Sequence, residues 1–193
     1  MDLAKARRDW TKRFPSKAPS EQGVPKQFAS DQRKKIPAFH FNRPPSTAAT
    51  IPITLLDRIF AQFQEDCETH ESTSEDHAFV LKLSLSMSGF YKDEKERAAQ
   101  ARADMGTYGL DFMAATIGAY ITDGDLRWKE FCYALLEYKD EVGSGKAEPL
   151  FQVIWYYVAF MRSLCPAYVF SGLPCFVLYA FGEPFEPCTQ KGY

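Results

Sequence analysis

At 193 residues with 46% hydrophobic content, the chain is long enough for one domain with a real core and too short for two ordinary ones. Its charge is lopsided: residues 1–45 hold 11 Lys/Arg against 4 Asp/Glu, net +7, and the other 12 basic and 21 acidic residues leave −9, so a basic arm precedes an acidic body. Five cysteines form no Cys-x-x-Cys pair and the three histidines are not spaced as zinc ligands, which argues against a zinc site and for buried thiols in a reducing, intracellular setting.

The start, Met1 to Arg8, is followed by no apolar stretch and is no secretory signal. From Trp10 to Thr50 six prolines stand among Ser, Gln and Lys without an apolar period, so residues 1–49 read as a disordered basic arm, a solvated tail able to touch phosphates. Pro52 opens a helix over 51–66, in which Leu55, Leu56, Ile59, Phe60 and Phe63 recur at three- and four-residue steps on one face. Asp66 to Asp76 is polar and reads as a loop. Residues 79–90 fit a strand or a helix by periodicity; Asp76 as a cap, with the charged run Lys92 to Asp104 behind it, favours a helix.

After Gly106 and Gly109, residues 112–121 are apolar and Asp123-Gly124 signals a turn. Phe131 to Leu136 is apolar at every position, as expected of a strand covered on both faces, and it runs directly into Glu137-Tyr138-Lys139. Gly143-Ser144-Gly145 breaks that strand. Pro149 sits where a helix starts, with Leu150, Ile154, Tyr157, Val158, Met161 and Leu164 as its stripe as far as Pro166. Ser163 to Gly182 runs 20 residues without a charge, enough to cross a bilayer, but Pro166, Gly172 and Pro174 inside it favour a buried soluble segment and no membrane. Cys175 to Phe181 is a last apolar strand. Helices, strands, a helix and a strand make an α/β layered body over 50–182, with an irregular tail at 183–193.

Residues two apart on a strand share a face, so Glu137 and Lys139 lie together at the end of a buried strand, where α/β folds commonly build sites. Asp123 or Asp125 would bring a second carboxylate across a hairpin. Two carboxylates and an ammonium suit phosphodiester hydrolysis assisted by a hard cation such as Mg²⁺. Glu-x-Lys also ends many strands merely as two solvated charges.

The wider pattern is more specific. Thr122-Asp123-Gly124, Leu135 to Gly145, Glu148-Pro149-x-x-Gln152, Tyr156-Tyr157 and Leu173-Pro174-Cys175 together resemble a fungal family that carries a PD-(D/E)XK restriction-endonuclease-like domain, often joined to Crinkler-type or fungal-type protein-kinase-like domains. The resemblance spans about residues 51–182. It implies a restriction-endonuclease-like core, a mixed sheet flanked by helices, with Mg²⁺ held by Asp123 and Glu137 and with Asp125 as a substitute for Asp123. It further implies Lys139 as the catalytic lysine, Gln152 as an orienting polar residue, and Glu141 as the acidic position after the lysine.

DNA is the implied substrate and a kinase-like protein a possible partner. The family's core runs on past Tyr179, whereas here Gly182 leads into a Pro-rich end at Tyr193 and no kinase-like segment follows, so the domain reads as C-terminally truncated. A catalytically inactive binding or targeting module, or a degenerate paralogue, is the alternative. The acidic body favours it, because such a surface repels phosphates unless the arm or a cation compensates.

Overall fold

A computed structural model describes residues 2–13, 17–34, 39, 52–139, 146–164 and 174–181. The breaks expected at 143–145 and at Pro166, the acidic Glu141 and the tail 183–193 lie outside these residues.

In the first part of the chain, α1 (Leu3–Lys12), α2 (Pro19–Gln22) and α3 (Pro25–Gln32) stand where a disordered arm was expected. Two of the six prolines that suggested disorder, Pro19 and Pro25, each begin a helix, where a missing N–H costs nothing; the other four lie outside the described residues. The arm is also packed. Phe28 is buried and stacks on Phe151 with ring centroids 3.9 Å apart and planes 4° from parallel, and Phe39 meets Trp155 edge-on at 4.9 Å.

The helix expected over 51–66 is two: α4 (Ile53–Leu56) and α5 (Arg58–Thr69). Asp57 separates them because its extended backbone (φ −149°, ψ 132°) lets its side chain cap α5, accepting the Ile59 N–H at 3.0 Å. The apolar stripe is largely uncovered: Leu55, Leu56, Ile59 and Phe63 are exposed, although the Phe60 and Phe63 rings meet Phe176. The expected loop shrinks to 70–73. Next, α6 (Ser74–Met87) is helical as expected, but its N-cap is Thr73; Asp76, expected as the cap, stands at N3 and completes a capping box. The charged run forms α7 (Glu94–Gly106), capped by Asp93, whose side chain accepts the Glu96 N–H at 3.0 Å.

The apolar 112–121 stretch makes a small hairpin, β1 (Thr116–Ile117) with β2 (Tyr120–Ile121), turning at Gly118, whose φ of +61° suits glycine. The turn expected at Asp123-Gly124 is instead a bend entering β3 (Gly124–Trp128); Gly124 is needed there because a Cβ would meet Phe112 and Leu136 at 3.3–3.4 Å. Strand β4 (Phe131–Lys139) pairs antiparallel with β3, and β5 (Phe176–Phe181) pairs parallel with β4, giving a mixed sheet in the order β3-β4-β5. The parallel step is bridged by α8 (Pro149–Leu164), the crossover that such a connection requires.

The sheet separates two apolar layers. Ala134, Leu136 and Tyr138 pack with Met87, Ala98, Ala101 and Met105 of α6 and α7, whereas Leu135 packs with Val153, Tyr156 and Phe160 of α8. A register shift between Leu126 and Arg127 leaves Tyr133 as an extra, exposed residue on β4 and turns Cys132 to the α8 side. The stripe expected on α8 is corrected. The buried positions are Val153, Trp155, Tyr156, Val158 and Phe160, because this helix is apolar nearly all round and the arm covers its second side. Of the thiols, Cys132 is buried and Cys175 half-buried, but Cys67 is exposed, contrary to the expectation of burial. Among the described residues no helix is long and apolar enough to cross a membrane. The chain is thus an α/β protein whose small mixed sheet has helices on both faces.

Candidate functional site

Strand β4 carries Glu137 and Lys139 to its C-terminal end side by side. Glu137 is 1% exposed and Lys139 8%, and the Lys139 ammonium lies 2.8 Å from Glu137 Oε1. On the antiparallel side Gly124 pairs with Leu136, so the next step of that register sets Asp123 opposite Glu137. Asp123 does not continue the ladder through its backbone; its Oδ2 accepts the Tyr138 N–H at 2.9 Å, and its carbonyl accepts from the Arg102 guanidinium of α7. Gly124 lets the chain run close against Phe112, and α7 carries Arg102 to the bend.

These contacts create an unbalanced electrostatic arrangement. Burial and then the Asp123 charge push the Glu137 carboxyl up to about 8, and Lys139 only partly offsets them. Burial would lower the ammonium of Lys139, but the carboxylates of Glu137 and Glu94 outweigh it and hold it above its ordinary value. Glu137 Oε2 is buried without a hydrogen-bond partner among the described residues. Glu137 thus keeps its proton to higher pH than an ordinary carboxyl, with one oxygen on Lys139.

Asp125 is buried, and its Oδ2 accepts from both Nε and Nη2 of Arg127, at 2.9 and 2.6 Å, so one of its two oxygens is taken up by a salt bridge. Gln152 lies in the first turn of α8, 6% exposed, with its Nε2 3.5 Å from the Tyr156 hydroxyl, at the outer limit of a hydrogen bond. Among the described residues it makes no hydrogen bond to Asp123, Glu137 or Lys139. The Tyr156 hydroxyl in turn donates to the Ile121 carbonyl at 3.0 Å, and burial followed by the Glu137 charge pushes it up to about 12.

Sequence reasoning missed three contributors. Glu94, the first residue of α7, receives the Lys139 ammonium at 3.2 Å; the signal was Asp93-Glu94 heading a charged run, a helix start whose carboxylates gather near the site. Tyr156 lay inside a quoted motif without a role, and Arg102 had no signal, since it acts through a backbone carbonyl.

Whether these side chains suit a divalent cation turns on Glu137. An unpaired buried oxygen beside a second carboxylate is the donor pattern a cation would satisfy, and it would also relieve the repulsion that raises Glu137. Among the described residues no group of three or more His, Cys, Asp or Glu is arranged to hold a metal ion. Mg²⁺ does not require one, since it keeps several waters and is commonly held by one or two carboxylates together with substrate phosphate. The donors fit Mg²⁺ on that basis.

No protein-family model, curated protein or solved structure matches this chain.

Proposed function

We propose that the chain carries a restriction-endonuclease-like nuclease domain, hydrolysing DNA phosphodiesters with Mg²⁺ held by Asp123 and Glu137. The observation that supports this reading is the buried Glu137, with one oxygen on Lys139, the other unpaired, and Asp123 opposite. A bound Mg²⁺ would supply charge neutralisation of the phosphate and a more acidic water. Asp123, fixed by the Tyr138 N–H, presents its remaining oxygen at the bend. Glu137 would give up its proton when a cation is bound beside it, because positive charge favours the carboxylate whereas a phosphate alone would not. Lys139, kept cationic by Glu137 and Glu94, holds positive charge where negative charge accumulates on the phosphoryl oxygens. Gln152 and Tyr156 stiffen the α8 side of the site.

One observation favours a second reading, an inactive module of the same fold that binds nucleic acid or a kinase-like protein. Lys139 is engaged by two carboxylates and Glu137 is almost wholly enclosed, which is also how a buried structural ion pair is arranged. Calorimetric titration with Mn²⁺, together with cleavage of a fluorescent duplex, separates the two. The nuclease reading expects binding and cleavage in the wild type and loss of both in Glu137→Gln; a folded wild type that neither takes up Mn²⁺ nor cuts leaves only the module.

A further inference from the structure

We infer that helices α1–α3 form a fixed surface for the sugar–phosphate backbone, so that the site takes a polynucleotide running from Glu137 across the first turn of α8 onto the arm. This rests on the nuclease reading above and specifies its substrate class.

The joint between arm and site is close. A Cβ on Gly23 would stand 2.9 Å from the Gln152 nitrogen, the Gly23 carbonyl accepts the Glu148 N–H at 3.0 Å, and Phe28 stacks on Phe151. The arm is therefore seated on the same helix turn that carries Gln152. Without it, the apolar Phe151, Trp155 and Val158 would lose their cover.

The arm carries positive charge outward. Lys12, Arg13, Lys17, Lys26 and Arg33 are exposed and have no ion-pair partner among the described residues, whereas Asp31 is buried against Lys34 and Asp9 is paired with Lys5. Of the arm's four acids Asp9 and Asp31 are paired within it and Asp2 and Glu21 are exposed, so these five cations outnumber the acids left to solvent. The rest of the chain is acidic, net −9 beyond residue 45, and by itself would repel a phosphate polymer. A basic surface seated on the helix turn that carries Gln152 offsets that repulsion. A flexible tail would add affinity without fixing register; a docked surface adds both.

The test compares two phosphodiesters, a fluorescent DNA duplex and bis(p-nitrophenyl) phosphate, which has no neighbouring phosphates. Replacement of Lys12, Arg13, Lys17, Lys26 and Arg33 by Gln, in a chain of unchanged thermal stability, is expected to weaken duplex binding at least about tenfold. The log–log salt dependence should become shallower by up to about 0.9 for each lost phosphate contact. Duplex cleavage should slow in parallel, while hydrolysis of the small diester stays as in the wild type.

Phe28→Ala keeps every charge but unseats the arm, and is expected to lose duplex cleavage more than duplex binding. Equal duplex affinity and cleavage in the five-charge variant overturns the inference, as does wild-type behaviour of Phe28→Ala, which would make the arm only a tether. A wild type that binds no DNA but is captured through these charges by an acidic protein also overturns it. A wild type that binds duplex through the five charges yet hydrolyses neither diester supports the surface and overturns the nuclease reading.

Discussion

At the scale of single residues the site is governed by the mismatch between Glu137 and its surroundings. Its folded-state pKa, about 8, lies above the ordinary 4.5, so between these values the native chain holds a proton that the unfolded chain has released. Stability from this group is therefore greatest below about pH 4.5 and falls as pH rises through 8. Thermal unfolding in chelator should show that decline between pH 5 and 8, and Glu137→Gln should flatten it. Cation binding must displace the same proton, so Mn²⁺ affinity should rise about tenfold per pH unit up to about 8 and then level off; a pH-independent affinity would contradict the assignment of Glu137. Glu137 and Lys139 were legible as a pair because strand alternation is a strict rule. Their burial and the proton on Glu137 were not, since both depend on α8 and the bend at Asp123, which alternation does not encode.

At the scale of elements, capping chemistry was a better guide than apolar periodicity. Pro149 starts α8 as expected and Asp76 takes part in the cap of α6, whereas the stripe on α5 is left uncovered and that on α8 misplaces the buried side. A helix that is apolar on several sides gives no phase to read, and α8 is buried by partners distant in sequence. Two changes test the elements. Asp93→Ala removes the cap of α7 and should cost about 1 kcal/mol in denaturant unfolding, while loosening Glu94 from Lys139. Gln22, 1% exposed with neither side-chain amide atom paired among the described residues, should gain stability on replacement by Leu, by about 1–2 kcal/mol, because an unsatisfied buried amide is removed; a loss in Gln22→Leu would mean the amide has a partner such as a buried water.

At the scale of the whole molecule, the α/β layering followed from the order of apolar runs and glycine or proline breaks. The docking of the arm did not. Composition marked residues 1–49 as basic and Pro-containing, which describes a tail and a short-helix segment equally well; the difference is made by Phe28 and Phe39 finding Phe151 and Trp155, more than 100 positions away in the chain. Limited proteolysis should accordingly leave 19–32 intact under conditions that cut exposed loops, and Phe28→Ala should expose it. The most direct measurement is the nicking of supercoiled plasmid by the full chain in Mg²⁺, in chelator, and by Lys139→Ala of matched thermal stability. Nicking in Mg²⁺ that disappears in chelator and in Lys139→Ala is the predicted result; a folded wild type that leaves the plasmid uncut, or a Lys139→Ala chain that nicks at the wild-type rate, would contradict it.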